Sequence, residues 1–336
     1  MQGASKESAR HLPGVIAVLA LAAGLAAATV LVNHYGFRTV ASSLLEVGWS
    51  GFVAIVVIHL GIVIICSAAW FVLVSQPWRP ALWPFLLGRL VRNSSEILPL
   101  FHVGGFLMGA RAASVAGVSG SISLASTIVD VTMELLSELI YVALALVIFA
   151  TVRPGDPLTA FVTMGLFAAS IVAIIFTAAQ RHGFAILGAI ANRLTRQSTA
   201  VAADRAAAIN KCIEVIHGRF SAPVYGFLLH LSGWIAGAAE AWFAFKLMGT
   251  SPGFAAVFSI EGLVCAARAA AFAVPSALGV QEGAYVVLGR LYGIRPETVL
   301  ALSLLKRARD VALGIPPLIA WQLMEGGRIW RRLHAL

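Results

Sequence analysis

Residues 261–290 read EGLVCAARAAAFAVPSALGVQEGAYVVLGR. The apolar helical run in this stretch contains Arg268, is broken at Pro275, and resumes after Gly279 and Gly283. Proline removes a backbone donor and clashes with the preceding helical turn, whereas glycine permits a tight reversal of the chain. The stretch therefore predicts two half-helices joined by a turn rather than one continuous helix.

A second stretch, residues 90–111, reads LVRNSSEILPLFHVGGFLMGAR and has the same organisation. Its helical run is broken by Pro99 and is expected to resume after Gly104 and Gly105. Arg92 precedes Pro99 by the same seven residues that separate the arginine from the proline in the first stretch. Both stretches are interpreted as re-entrant hairpins, and two ordinary spans kinked at proline are the alternative.

The composition of the whole chain indicates a membrane protein. Of its 336 residues, 60% are hydrophobic and 12% are charged, against about 45–50% and about 25% in soluble domains. A helix needs about 20 apolar residues to cross a bilayer. Apolar runs of about this length lie at 13–33, 50–75, 121–151, 157–179, 222–247 and 297–324. The prediction is an all-α, polytopic integral membrane helical bundle with about six full spans and two re-entrant helical hairpins.

The distribution of positive charge orients this bundle. The chain carries 24 Lys and Arg against 15 Asp and Glu, and most of the basic residues fall in one set of connections, which predicts that both termini are cytoplasmic. The connector at about 181–221 is then cytoplasmic. Its Ile209, Cys212, Ile213 and Ile216 recur at helical spacing, which predicts an amphipathic helix on the inner leaflet. A solvated connector between two halves is the alternative.

The order of spans and hairpins suggests an internal repeat. Each hairpin lies between two full spans, so the first repeat covers about 50–151 and the second about 222–324. By the distribution of positive charge, the two hairpins enter the membrane from opposite sides. Inverted repeats with broken helices near the midplane are typical of alternating-access transporters. The chain, 1–336, is accordingly interpreted as a single membrane domain.

Charged residues inside the predicted spans point to a polar site. Each costs about 2.5–3.5 kcal/mol on insertion scales. Asp130, Glu134 and Glu138 share one face of the span 121–151, and four charged residues crowd one turn of 297–324. These two faces are expected to meet between the repeats. The candidate substrate-binding residues are Arg92, Asn93, Glu96, Arg111, Asp130, Glu134, Arg268, Glu282, Lys306, Arg307 and Asp310.

Two other interpretations of buried polar residues remain open. The charges can be ion pairs that fix helix register and bind no substrate. His59 and His230 stand singly in the spans that open the two repeats, and they are predicted to be hydrogen-bond partners between helices rather than ligands. No metal site and no cofactor are predicted.

Several strings resemble one known family. They are the P-x-x-L-G-x-x-E pattern that starts at Pro275, together with RNSSEILPLFHVGGFLMGARA at 92–112 and STIVDVTMELL at 126–136. Over about 13–325 the chain resembles the lysylphosphatidylglycerol synthase transmembrane-region family, which includes the lipid-flipping domain of multiple-peptide-resistance proteins. The latter two strings look most like its hopanoid-biosynthesis-associated branch. The resemblance implies a lipid-handling membrane protein, and it does not imply the synthetic activity that a separate soluble domain carries in full-length synthases.

The expected function follows from the predicted polar site between the repeats and from the resemblance. No GxSxG, Walker, HExxH or nucleotide-binding pattern occurs in the sequence, so a protein that is not an enzyme is expected. The leading hypothesis is a flippase-like translocator that moves a polar or hopanoid-type lipid across the bacterial inner membrane. Its expected partners are membrane lipids and proteins of lipid biosynthesis or export, not nucleic acid. The alternatives are a non-catalytic scaffold of a lipid-biosynthesis complex and a membrane-embedded head-group enzyme that uses Asp130, Glu134 or Glu282 as acid or base.

Overall fold

The computed structural model describes residues 22–23, 25–74, 81–94, 102–181, 200–272 and 274–333, and these ranges contain helices and no strand. Residues Pro275–Ala277 form a 3₁₀ turn. The helices are α1 (Leu25–His34), α2 (Phe37–Leu73), α3 (Trp83–Ser94), α4 (His102–Val115), α5 (Gly120–Val152), α6 (Pro157–Arg181), α7 (Ala200–Gly218), α8 (Ser221–Leu247), α9 (Phe254–Ala270), α10 (Val280–Leu291) and α11 (Pro296–Leu333).

Three of the described helices, α2, α5 and α6, are long and apolar enough to cross a membrane. The ends of α5 and α6 follow from local sequence. α5 ends at a turn in which Gly155 has a φ of 81°, and α6 begins at Pro157, where the missing N–H needs no partner. The carboxylate of Asp156 accepts a hydrogen bond from the N–H of Leu158 over 2.9 Å.

Two long helices differ from the predicted spans. α2 begins at Phe37 rather than near residue 50, because a segment before the predicted span is also helical. The two parts of α2 join at Gly48, whose φ of 62° and ψ of 174° are not helical. α11 continues through Pro316 and Pro317 beyond the predicted end at 324. The predicted span at 13–33 lies largely outside the described residues.

The first predicted hairpin corresponds to α3 and α4, which pack directly against each other. A Cβ atom placed on Gly109 would lie 2.8 Å from the carbonyl oxygen of Gly88, so the two backbones are in contact at this pair. The helices contain 12 and 14 residues and are therefore about 18 and 21 Å long, shorter than the hydrocarbon core of about 30 Å. Pro99 and Glu96 lie outside the described residues.

Three glycines predicted in the hairpin turns are helical instead. Gly104 and Gly105 lie inside α4, because the helix already begins at His102. Gly283 lies in the first turn of α10, where its N–H donates to the carbonyl oxygen of Gly279 over 2.9 Å. Gly279 has a φ of 77° and caps α10, so this one glycine supplies the left-handed backbone conformation just before the helix.

The connector helix α7 packs on the protein rather than with its apolar face on lipid. Ile213 and Ile216 are 1% and 4% exposed, and they lie in one cluster with Val129 and Met133 of α5. The other apolar positions of the predicted amphipathic face, including Cys212, pack partly buried against the same cluster. The face that was predicted to lie on the inner leaflet is thus covered by neighbouring helices, because burial against α5 removes the same apolar side chains from water.

The packing of the long helices positions the polar residues. α8 packs against α2 and α5, α9 packs against α5, and α11 packs against α2 and α3. Ser94 at the end of α3 donates a hydrogen bond to the carbonyl oxygen of Gly314 in α11 over 2.8 Å. Helices of the two predicted repeats are therefore interleaved, and their polar faces border a common space.

Candidate functional site: a charged cleft

The common space is a cleft of ≈ 430 Å³. Residues from α2 to α5 form part of its wall, and residues from α8 to α11 form the rest. Apolar side chains such as Phe106, Leu135 and Phe272 contribute to the lining. The charged, histidine and asparagine side chains that line it are His59, Arg89, Arg92, Asn93, Glu134, Glu138, His230, Glu240, Glu261, Arg268, Lys306, Arg309 and Asp310.

The structure brings most of the predicted binding residues together here. Those that line the cleft are Arg92, Asn93, Glu134, Arg268, Lys306 and Asp310. Asp130 lies next to the lining and is 1% exposed. Arg111 is elsewhere, in an ion pair with Glu325, and its side chain is 51% exposed. Glu282 and Arg307 form a separate pair, and Glu96 lies outside the described residues.

The two predicted repeats, about 50–151 and about 222–324, are called the first and the second half. In the first half, two arginines of α3 bind two carboxylates of α5. The spacing of three residues on α3 and four on α5 puts each pair on one helical face. Arg89 donates from Nη2 to Oε1 of Glu134 over 2.5 Å and from Nη1 to Oε2 over 3.1 Å. Arg92 also binds Glu134, and its Nη1 lies 3.3 Å from Oδ2 of Asp130. Two positive and two negative charges therefore compensate each other within this group.

In the second half, the polarity is reversed, because the long helix is basic and the helix of the predicted hairpin is acidic. Lys306 of α11 donates hydrogen bonds to Glu261 of α9 and, over 3.0 Å, to the hydroxyl of Tyr285 in α10. The Tyr285 hydroxyl in turn donates to Oε1 of Glu261 over 2.6 Å. The three side chains form a closed triangle at the cleft wall.

A third group joins α2, α8 and α11. Nδ1 of His59 lies 2.8 Å from Oε2 of Glu240, and Oε1 of the same carboxylate accepts a hydrogen bond from Arg309. Arg309 also donates from Nη2 to Asp310 over 2.6 Å. Glu240 is 3% exposed, so both of its oxygens are satisfied inside the protein. A carboxylate buried without such partners would be strongly destabilising.

The acidic face of α5 and the basic face of α11, which are expected to meet between the repeats, take charged partners from other helices. Both faces border the cleft, but Asp130 and Glu134 are bound by α3, whereas Lys306 and Arg307 are bound by α9 and α10. The hairpin helices supply the opposite charge in each half. At the cleft, side-chain contacts between the halves come from two histidines, since His59 binds Glu240 and His230 binds Asp130. Away from these charges, Ser94 of α3 and Arg111 of α4 also bind α11.

Glu282 and Arg307 stabilise the turn before α10. Oε2 of Glu282 accepts the N–H of Gly279 over 2.8 Å, and Oε1 accepts Nε of Arg307 over 2.7 Å. Both η nitrogens of Arg307 lie 3.4 Å from the carbonyl oxygen of Ser276. Ser276 and Ala277 have φ values of 55° and 45°, a conformation that is unfavourable for residues other than glycine. This pair therefore holds a strained turn outside the cleft lining.

The candidate substrate-binding residues lack five charged residues that line the cleft: Arg89, Glu138, Glu240, Glu261 and Arg309. Arg89 is 6% exposed in α3, and its position three residues before Arg92 is the signal that could have identified it. Glu261 stands in an otherwise apolar run and was not singled out. An isolated carboxylate in such a run requires a buried cationic partner, and Lys306 is that partner.

One group in the cleft has metal-ligand chemistry. Asp130, Glu134 and His230 offer ligand atoms that lie within 4.8 Å of one another. Arg89 and Arg92 already donate hydrogen bonds to the carboxylate oxygens of this group. A divalent cation would have to displace these guanidinium groups and would be repelled by them, so the arrangement favours an ion-pair network.

The fold and the cleft define a membrane-embedded helical protein with a charged interior. Residues 15–316 match the family described as the lysylphosphatidylglycerol synthase TM region. The match covers most of the chain, so the protein belongs to this family, which is membrane-embedded and lipid-related. No match was found among curated proteins or among solved structures. The family prediction is confirmed, and the assignment to the hopanoid-associated branch stays a prediction.

Proposed function

We propose that the protein is a lipid translocator of the bacterial inner membrane. The polar head of a lipid, of a hopanoid type or another polar type, crosses through the cleft while its tails remain in the bilayer. The observation that carries the proposal is the cleft itself, which concentrates ionised side chains inside an apolar, lipid-related membrane protein. Such side chains are costly at membrane depth and mark pathways for polar substrates.

The proposed arrangement in the membrane is an inverted repeat with six full spans and two re-entrant hairpins. The α3–α4 pair supports it, because both helices are too short to cross the bilayer. The α9–α10 pair supports it as well, since helices of 17 and 12 residues, both too short to cross the bilayer, pack against each other on either side of the turn at Pro275. In this arrangement both termini face the cytoplasm.

Alternating access requires the two halves to move relative to each other. The ion pairs of α3 with α5 and of α9 with α11 lie within a half, so they persist in such a motion. The contacts from His59 to Glu240 and from His230 to Asp130 join the halves, so they must break and re-form. These two histidine–carboxylate contacts are proposed to latch one conformation of the cleft.

Reconstitution tests the function. The purified protein is placed in vesicles with acyl-labelled lipids of several head groups, hopanoids included, and chemical quenching of the outer leaflet reports movement between leaflets. We expect at least one lipid to change leaflets faster than in protein-free vesicles and in vesicles that contain heat-denatured protein. Chemical analysis of the recovered lipid is done in parallel. An altered head group would favour a membrane-embedded enzyme, and unaltered lipid without movement would favour a scaffold.

A further inference from the structure

The charges that line the cleft are balanced. Among the described residues, the permanently charged cations of the lining are Arg89, Arg92, Arg268, Lys306 and Arg309, and the carboxylates are Glu134, Glu138, Glu240, Glu261 and Asp310. The two sets are equal in number; Asp130, which lies beside the lining and is bound by Arg92 and His230, is not counted in them. The two histidines of the lining, His59 and His230, are each bound to a carboxylate.

The charges are also already partnered, which limits what can enter. Glu134 is bound by Arg89 and Arg92, and Glu261 is bound by Lys306. An entering anion that took the guanidinium groups would release Glu134 into a buried site without a counter-charge. Removing one partner of a buried ion pair is strongly destabilising. An entering group with both charges avoids this cost, because its cation can compensate the carboxylate that its anion displaces.

The lining contains aromatic rings as well as carboxylates. Tyr141 and Trp234 both line the cleft and stack with their ring centroids 6.0 Å apart. Tyr141 lies one helical turn after Glu138 on α5. Aromatic faces and carboxylates together are the surroundings in which proteins bind ammonium groups. The guanidinium forks of Arg89 and Arg92 suit the oxygens of a phosphate or carboxylate.

We propose that the head group handled by this cleft is zwitterionic, with a phosphate- or carboxylate-type anion, an ammonium-type cation and no net charge. This inference rests on the proposed translocator function. The anion binds the arginines of α3, and the ammonium group binds between the carboxylates Glu138 and Glu261 and the ring of Tyr141. A head group with a net charge would leave one buried charged side chain without a counter-charge.

Three acyl-labelled lipids that share their tails test the proposal in vesicles. They are phosphatidylcholine, which is zwitterionic, phosphatidylglycerol, which is anionic, and ethyl-phosphatidylcholine, which keeps the ammonium group but is cationic. We expect phosphatidylcholine to change leaflets at least about tenfold faster than either other lipid, since only it keeps every buried charge paired. Equal rates for phosphatidylglycerol and phosphatidylcholine would overturn this inference and leave the proposed function standing. Failure of all three lipids, and of every other lipid tested, would overturn the proposed function itself.

Charge variants make the test specific to the cleft. Glu138→Gln gives the lining one surplus positive charge and should shift preference toward phosphatidylglycerol, whereas Arg268→Gln should shift it toward ethyl-phosphatidylcholine. The double variant restores the balance and should again prefer phosphatidylcholine. Arg111→Gln, which breaks an exposed ion pair outside the lining, is the control and should behave as the unmodified protein. Unchanged preference in both single variants would overturn the proposal; if neither accumulates, the double variant and the comparison of three lipids decide it.

Discussion

Nε2 of His230 in α8 lies 2.8 Å from Oδ1 of Asp130 in α5, and both side chains are 1% exposed. A second contact of this kind joins His59 in α2 to Glu240 in α8. Each histidine stands in the helix that opens one predicted repeat, and each binds a carboxylate of the other. Two buried polar contacts therefore tie the two halves of the protein together at the cleft.

Removal of the histidine at the first contact should lower stability. His230→Ala leaves Oδ1 of Asp130 without its buried partner, and we expect a loss of about 1–3 kcal/mol in the free energy of unfolding. Asp130→Ala should cost more, because two arginines would then share the single carboxylate of Glu134. Thermal unfolding in detergent measures both effects. The control is Arg111→Gln, and a midpoint for His230→Ala no lower than that of the control would contradict the buried contact.

The sequence predicted the long apolar helices well because their signals are local. The predicted span 121–151 is observed as Gly120–Val152, since the apolar run stops at a turn that contains Pro154 and Gly155. The break at Pro275 and the role of Gly279 are likewise set by backbone chemistry within a few residues. His59 and His230 were predicted to bind neighbouring helices, and the structure shows both contacts.

The pairing of charges was not predictable, because it depends on contacts between residues far apart in the chain. Glu261 binds Lys306 across a separation of 45 residues, and His59 binds Glu240 across 181. Helical periodicity places each side chain on a face of its own helix, but it does not state which helix covers that face. The same limit applies to α7, whose Ile213 packs on α5 where periodicity alone also allowed the membrane surface.

The close approach of α3 and α4 should depend on Gly109. A Cβ on this residue would lie 2.8 Å from the carbonyl oxygen of Gly88 and 3.0 Å from Cβ of Arg92. Gly109→Ala should therefore push the helices apart and lower the thermal midpoint. Gly165→Ala in α6 is the control, since nothing lies within 4 Å of its added Cβ and helix propensity favours alanine by about 0.8–1 kcal/mol. Equal midpoints for the two variants would contradict the backbone contact.

The packing of α7 on α5 can be tested with two positions of one helix. Ile213 is 1% exposed and Val215 is 38% exposed. Ile213→Ala removes buried methyl groups and should cost about 2–5 kcal/mol in the free energy of unfolding, whereas Val215→Ala should change it little. Chemical unfolding of the detergent-solubilised protein measures both. If Ile213 lay on lipid instead, the two substitutions would have similar effects.

The orientation of the halves predicts which surfaces face the cytoplasm. Lys211 on α7 and Pro154 in the turn after α5 are both exposed. In a background without the three native cysteines, Lys211→Cys should react with an impermeant thiol reagent only from the cytoplasmic side. Pro154→Cys should react only from outside. If both cysteines react from the same side, the chain does not cross the membrane an odd number of times between positions 154 and 211. That result would contradict the proposed arrangement of the repeats.

The central claim is that polar head groups pass along the arginines and carboxylates of the cleft. Its most direct test compares Arg92→Lys with Arg111→Lys, reconstituted in equal amounts, by the rate at which a transported lipid changes leaflets. Lysine keeps the charge but loses the planar fork that binds two oxygens. Arg92 lines the cleft, and Arg111 is half-exposed outside its lining. We expect Arg92→Lys to slow lipid movement severalfold or more and Arg111→Lys to match the unmodified protein; equal and undiminished rates in both variants would contradict the account.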